Sequence, residues 1–227
     1  MSMLDDLYKP DKKGALNTSI IGRPGSGKTV FIRETLRLFL RKNDDPNYRA
    51  VIYCPKNEFY LDNKKENQPI PIDKLESHLR KNRVAIIYGN SSYLEAEADY
   101  IIETLFNMQS NNPDVTSTFI CDDSQIFISS RSTISNSFKR IVLTGRSKGI
   151  RFVPVSHSLI YNKDVEGSTS FIVLFNLPFV AYHNDAKKRY GFDPSLYQDQ
   201  LASVPYSYIF FDVQSTKVAL HKPIELK

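Results

Sequence analysis

At 227 residues, with 41% hydrophobic and 24% charged positions, the chain has the size and composition of one globular domain around one core, and no biased tract points to disorder. Met1 to Lys13 mixes Asp5, Asp6 and Asp11 with lysines and lacks an apolar run of signal-peptide length. The most apolar segment, Phe171 to Tyr182, is about half the length of a membrane span and contains Asn176 and Pro178, so neither export by a signal peptide nor a transmembrane helix is expected. Cys54 and Cys121 sit in apolar runs that suit a reducing cytosol, and the four histidines have no metal-ligand spacing.

After an N-terminal extension at 1–13, Leu16 to Ile21 reads as a short strand. A glycine-rich turn follows, and then a helix with Ile32, Leu36, Phe39 and Leu40 on one face. Arg49 to Cys54 is a second strand, closed by Pro55, and the polar stretch 56–73 reads as an exposed excursion. Arg83 to Tyr88 is a third strand, apolar enough at its centre to be buried on both faces. Ser92 and Glu95 form a capping box before a helix carrying Ala98, Ile101, Ile102, Leu105 and Phe106, which Asn111-Asn112-Pro113 ends. Thr116 to Cys121 is the fourth strand. A second amphipathic helix presents Ile134, Phe138, Ile141 and Val142 and stops near Gly145. Phe152 to Ser156, Phe171 to Phe175, and a terminal hairpin of Tyr206 to Asp212 with Lys217 to Leu220 complete the pattern. Alternating strands and helices predict a single α/β domain over 1–227, with a mostly parallel central sheet, helices on both faces and a C-terminal β-hairpin.

The glycine-rich turn meets the whole pattern of a phosphate-binding loop, or Walker A motif: Gly22-Arg23-Pro24-Gly25-Ser26-Gly27-Lys28-Thr29, with Val30 continuing into the helix. Gly25 and Gly27 let the backbone curl so that its N–H groups face an anion, and the positive end of the helix points at the same place. Lys28 adds a full charge near the β- and γ-phosphates, and the Thr29 hydroxyl is a magnesium ligand. The expected ligand is therefore ATP with Mg2+. A kinase, a GTPase or an ATPase could use such a loop.

The fourth strand delivers Asp122 and Asp123, which resemble a Walker B pair. Adjacent residues at a strand end point in different directions, so two carboxylates there can do different work. Asp122 is assigned to magnesium, and Asp123 to orienting and polarising the attacking water. Lys28 and Asp122 are 94 residues apart, with two candidate strands between them in sequence, so a core strand can separate the two motifs. From Ser124 to Lys163 there is no acidic residue, while Arg131, Lys139, Arg140, Arg146, Lys148, Arg151 and Lys163 are basic, which marks either a solvated face or a polyanion surface.

These motifs, with Gly145-Arg146 and the tail Phe211 to Ile224 containing His221-Lys222-Pro223, resemble viral genome-packaging ATPases of the HerA/FtsK superfamily, the type found in tectiviruses and turreted archaeal viruses. The resemblance implies a RecA-like fold of the ASCE type with an extra strand between the two nucleotide motifs. It implies a homo-oligomeric ring, pentamer or hexamer, that threads double-stranded DNA. Capsid vertex or membrane proteins of the virus would be its partners, and its place would be the host cytoplasm and the packaging vertex of the virion. Such rings complete each ATP site with a neighbour's arginine, for which Arg146 matches first and Arg140 second. The family's polar sensor after the fifth strand falls on Val155-Ser156-His157-Ser158, which leaves His157 or Ser158 for that role. The competing reading is a P-loop kinase or another DNA-independent NTPase.

Overall fold

The computed structural model describes residues 3–8, 17–129, 133–158, 162–177 and 180–224, with backbone only at 4–6. Arg131 of the basic stretch, Leu16, Pro178 and positions 9–13 of the extension lie outside the described residues. Apolar runs at Asn17–Ile21 (β1), Tyr48–Cys54 (β2), Val84–Tyr88 (β3), Thr116–Cys121 (β4), Ile150–Ser156 (β5) and Thr169–Leu174 (β6) pair in parallel. Tyr208–Asp212 (β7) and Lys217–His221 (β8) add antiparallel strands, giving the order β3-β2-β4-β5-β1-β6-β7-β8. The helices are Met3–Tyr8 (α1), Lys28–Lys42 (α2), Leu75–Leu79 (α3), Leu94–Asn111 (α4), Gln125–Ile128 (α5), Asn136–Thr144 (α6), Lys163–Ser168 (α7), Val180–Tyr190 (α8) and Gln198–Ser203 (α9). Among the described residues no helix is long and apolar enough to cross a membrane.

Successive strand residues face opposite sides of the sheet, so each strand feeds two apolar layers. On one side Ile20, Ile52, Ile120 and Val153 pack with Phe31, Leu36 and Phe39 of α2 and with Leu7 and Tyr8 of α1. On the other, Ile21, Tyr53, Phe119 and Phe152 pack with Ile101 and Leu105 of α4 and Phe138 and Ile141 of α6. The N-terminal segment is tied into the first layer. The Tyr8 hydroxyl lies 2.7 Å from Thr35 Oγ1, and Thr118 Oγ1 donates to the Tyr8 carbonyl at 2.7 Å. The stretch 56–73 is exposed along much of its length, but Phe59 and Leu61 turn into the core, and Pro69 bridges to Ile86 on the β3 edge.

Four details differ from the sequence reading. The strand between β1 and β4 is β5, which follows both motifs in the chain; the two strands lying between them in sequence, β2 and β3, sit on the far side of β4. The Ser92/Glu95 capping box does not form, because Asn90 Oδ1 takes the Ser92 N–H and Glu97 Oε2 takes the Asn90 N–H, and α4 starts from Tyr93 without a side-chain cap. Ile134 is buried but precedes α6, which is capped by Ser135 accepting from the Phe138 N–H. Helix α6 does end at Thr144 with Gly145 as its C-cap, but Gly145 keeps right-handed helical geometry, and the left-handed residue is Gly149 at φ 68, after a 3-10 turn at Arg146–Lys148. At Gly145 a side chain would meet the Ile141 carbonyl oxygen at 2.4 Å, so close approach of backbone to backbone explains the residue.

The basic stretch is also not one surface. Arg151 is 2% exposed, buried in the sheet with Nη1 3.4 Å from Thr18 Oγ1, and Arg140 pairs with Glu103 at 2.5 Å.

Candidate active site

Parallel strands bring their carboxyl ends to one edge of the sheet, and the loops that follow β1, β2, β4 and β5 converge there. Gly22 donates its N–H to Ser156 O at the end of β5, and Ser26 donates to Arg23 O, closing the turn at 3.2 Å. Gly25 and Gly27 have φ of 73° and 98°, the left-handed conformation that directs successive N–H groups into a concavity. Arg23, Pro24 and Gly25 form the exposed lip. Gly27 is the N-cap of α2, no side chain caps the helix, and the buried Ser26 hydroxyl has no hydrogen-bond partner. A turn with an unpaired buried hydroxyl at the start of a 15-residue helix, whose first N–H groups have no intrahelical partner, fits a polyphosphate.

Lys28 begins α2 and is buried. Its ammonium donates to Gly22 O at 2.8 Å and Arg23 O at 3.1 Å, and lies 3.1 Å from His157 Nδ1. Burial lowers its pKa to about 8, against the pull of Asp122 and Asp123, with Lys56 adding to the fall. Thr29 is half-buried on the first turn of α2, and Val30 is exposed beside it.

Asp122 and Asp123 stand at the end of β4, stitched to both neighbours. Asp122 donates its N–H to Tyr53 O of β2, and Ser124 bonds through N–H and hydroxyl to Val155 O of β5. Between those anchors Asp123 is held at φ 49°, a strained value for a residue with a side chain. The carboxylates diverge as expected of neighbours. Asp122 Oδ1 accepts from the Asp123 N–H at 3.0 Å, and its Oδ2 faces the Cys54 thiol at 3.9 Å. Burial, then the neighbouring Asp123 charge, raises the Asp122 pKa, against that N–H bond and the charges of Lys28 and Lys56.

Asp123 is 4% exposed. Its Oδ2 accepts from Lys56 Nζ at 2.8 Å and its Oδ1 from Gln125 Nε2 at 3.1 Å. His157 Nε2 lies 2.9 Å from Oδ1, within ion-pair range but off the direction of a hydrogen bond. Burial works to raise the Asp123 pKa, yet the bonds from Lys56 and Gln125 and the positive field of Lys56 and His157 hold it below the usual carboxylate range. His157 thus bridges Lys28 and Asp123, whereas Ser158 meets Ser156 through its backbone N–H and carbonyl.

Among the described residues no group of three or more His, Cys, Asp or Glu side chains could hold a metal alone. Thr29 and Asp122 fit the alternative in which magnesium takes one or two protein oxygens and completes its shell with phosphates and water. Beside Gly27 a cavity of about 240 Å³ opens between Val30, Tyr206, Tyr208 and Ile224. Tyr206, itself at φ 63°, lies so close that a side chain at Gly27 would approach its ring to 2.7 Å. A larger cleft of about 700 Å³ lies elsewhere, lined by Arg37 and Arg41 of α2 and Lys81 and Arg83 before β3.

Arg146 is exposed in the 3-10 turn before β5, at the end of that strand opposite His157. Seven strand residues separate it from the loops of its own site, roughly 23 Å at 3.3 Å per residue. Arg140 is nearer α4, its guanidinium 4.0 Å from the Phe106 ring. Sequence reasoning missed Lys56, Gln125 and Tyr206. Gln125 was readable as a polar residue two positions after the acid pair, while Lys56 and Tyr206 carry no local signal.

No protein-family model and no curated protein matches the sequence. Solved structures do match in fold. The genome packaging NTPase B204 from Sulfolobus turreted icosahedral virus 2, in complex with ATP-gammaS, superposes with a TM-score of 0.73 at 12% identity over 93% of this chain and 98% of that one. B204, the DNA-packaging ATPase from Sulfolobus turreted icosahedral virus, gives 0.68 at 15% identity over 95% and 100%. VirB4 of Thermoanaerobacter pseudethanolicus gives 0.58 at 9% identity over 92% and 89%. The fold is therefore that of these NTPases, near full length, with the parallel sheet and terminal hairpin expected from the sequence.

Proposed function

We propose that this chain is an ATP-hydrolysing motor that moves double-stranded DNA into a preformed viral capsid, working as a homo-oligomeric ring at the packaging vertex. The observation that carries the reading is the convergence of Lys28, Asp122, Asp123 and His157 in one connected cluster beside an unsatisfied anion cradle. That cluster supports hydrolysis, and the full-length likeness in fold to a DNA-packaging ATPase supports the coupling to DNA.

Gly22 to Thr29 bind the triphosphate, with Lys28 leaving its carbonyl partners for the phosphate oxygens. Thr29 and Asp122 would hold Mg2+, which would supply neutralisation of the phosphate charge. Asp123, kept ionised, accepts a hydrogen bond from water aligned on the γ-phosphorus. As that water's oxygen bonds to phosphorus, the β–γ bridging oxygen leaves with ADP and the water's proton passes through Asp123 to the released phosphate or solvent. His157 ties the position of Lys28 to that of Asp123 and serves as the sensor. Arg146, remote from its own loop, completes the site of an adjacent subunit.

The deciding experiment measures ATPase rate with and without duplex DNA across protein concentration. The motor reading expects turnover to rise with both and DNA binding to weaken steeply with salt. Turnover that ignores DNA and depends on a small acceptor would replace it with the kinase reading.

A further inference from the structure

Lys56 belongs to none of the nucleotide motifs, yet it makes the shortest of the described contacts to the Asp123 carboxylate. Its placement is built. The chain leaves β2 through Pro55 and turns back as Asn57 N–H bonds Cys54 O, with Asn57 at φ 59°. Because β2 lies directly against β4, with Tyr53 level with Cys121, that turn overhangs the acid pair. Asp123 is buried beneath it, while the Lys56 side chain is 54% exposed and reaches down from the solvent side.

In this arrangement both oxygens of Asp123 are engaged, Oδ2 by Lys56 and Oδ1 by Gln125 and His157. Each oxygen keeps a lone pair, but Oδ2 carries the Lys56 ammonium on its solvent side, so a lytic water there would have to share the oxygen with a full positive charge that weakens it as an acceptor. Of the three partners, Lys56 is a flexible, solvated cation, and a γ-phosphate arriving at the same strand ends competes for it with more charge than one carboxylate carries.

We propose that Lys56 is a γ-phosphate-responsive switch: it holds Asp123 in the nucleotide-free protein and transfers to the γ-phosphate when triphosphate binds, releasing Oδ2 to the attacking water. This rests on the reading that the loop at Gly22 to Thr29 binds ATP. ADP, lacking the γ-phosphate, leaves the Lys56–Asp123 pair intact, so the switch separates the two nucleotides. Lys56 makes and breaks no covalent bond.

The test measures affinity for ATPγS and for ADP by equilibrium titration in wild type, Lys56→Ala, Lys56→Arg, Asp123→Asn and the double variant Lys56→Ala/Asp123→Asn. The switch expects Lys56→Ala to lower the ATPγS-to-ADP affinity ratio about tenfold, through ATPγS alone, and Lys56→Arg to restore most of it. Asp123→Asn removes the resting partner and a like charge, so ATPγS affinity rises; the switch expects that gain to shrink markedly once Lys56 is also absent. An unchanged ratio in Lys56→Ala, or equal gains with and without Lys56, overturns the switch while leaving the ATPase reading intact. Wild-type protein that binds neither nucleotide overturns both. Lys56 is half in solvent, and a circular dichroism melt confirms that each variant folds.

Discussion

Lys28 Nζ and His157 Nδ1 stand 3.1 Å apart, joining the loop after β1 to the loop after β5. The same Nδ1 lies 3.1 Å from the Gly22 carbonyl oxygen, while Nε2, on the other side of the ring, lies 2.9 Å from Asp123 Oδ1. Lys28 and Asp123 are thereby linked through one imidazole, so a displacement of Lys28 toward a bound phosphate would remove one of the contacts that hold the ring. His157→Ala is expected to leave ADP affinity within about twofold of wild type and to lower kcat by 10- to 100-fold, roughly 1.4 to 2.7 kcal/mol of barrier. Steady-state kinetics with a parallel binding titration check it, and an unaltered kcat would remove His157 from the sensor role.

Lys28 gives a pH signature. Its pKa of about 8, set by burial, lies below the ordinary 10.5, so between those values the unfolded chain holds more protons and the nucleotide-free fold gains stability as pH rises through about 8. A bound triphosphate favours the ammonium and reverses the shift. Nucleotide affinity is therefore expected to be flat below pH 8 and to fall above it, approaching tenfold per pH unit, with about half a proton taken up per nucleotide at pH 8. Titration calorimetry in buffers of different ionisation enthalpy reads that proton. Lys28→Ala is expected to abolish nucleotide binding in the same titration.

The two carboxylates separate by experiment. Asp123→Asn keeps the shape and its hydrogen bond from Gln125 but loses the acceptor strength that orients water, so nucleotide binding persists while hydrolysis falls by about 10² to 10⁴. A variant hydrolysing at the wild-type rate would take the water-orienting role away from Asp123.

How much of this was legible follows from where the information lies along the chain. The strands and the loop-helix junction were readable because apolar runs ending in Gly22 or Asp122 encode local structure. Asp123 was readable from its neighbour. The position of Lys56 depends on β2 pairing with β4 across 60-odd residues, and that of Tyr206 on the hairpin returning past β6 to α2; a pairing order is a property of the whole sheet. Arg151 shows the opposite failure: counting charges along the chain put it on a surface, although it lies in β5, a central strand buried on both faces. The Ser92/Glu95 pattern was overridden by Asn90, which offered a tighter local turn to the same amide.

The cavity beside Gly27 is expected to take the base of a nucleotide bound at the loop. Tyr206 presents an exposed ring across it, and stacking on an aromatic side chain is worth about 1 to 3 kcal/mol. Tyr206→Ala is expected to raise KM for ATP about 5- to 100-fold with kcat little changed, and to leave inorganic triphosphate hydrolysis alone. Equal losses for ATP and triphosphate would place Tyr206 outside base recognition.

Arg146 carries the prediction that depends on assembly. It sits at the amino end of β5 while the phosphate loop sits at the carboxyl end of β1, so the two cannot meet within one chain without rebuilding the sheet. An arginine that stabilises transition-state charge is worth about 10³ to 10⁵ in rate, roughly 4 to 7 kcal/mol, enough to make turnover conditional on a neighbour. Arg146→Ala chains, intact in their own loops, are therefore expected to bind ATP normally and yet to silence the sites of wild-type neighbours when mixed with them. Activity then falls faster than the fraction of wild-type chains, and more steeply the more subunits must fire in turn. Arg140→Ala in the same mixing experiment is expected to act only through loss of its pairing with Glu103 and its stacking on Phe106, giving a proportional decline. A linear fall for Arg146→Ala with a steep one for Arg140→Ala would exchange their roles, and linear falls for both would remove the trans arginine from α6 and its following turn.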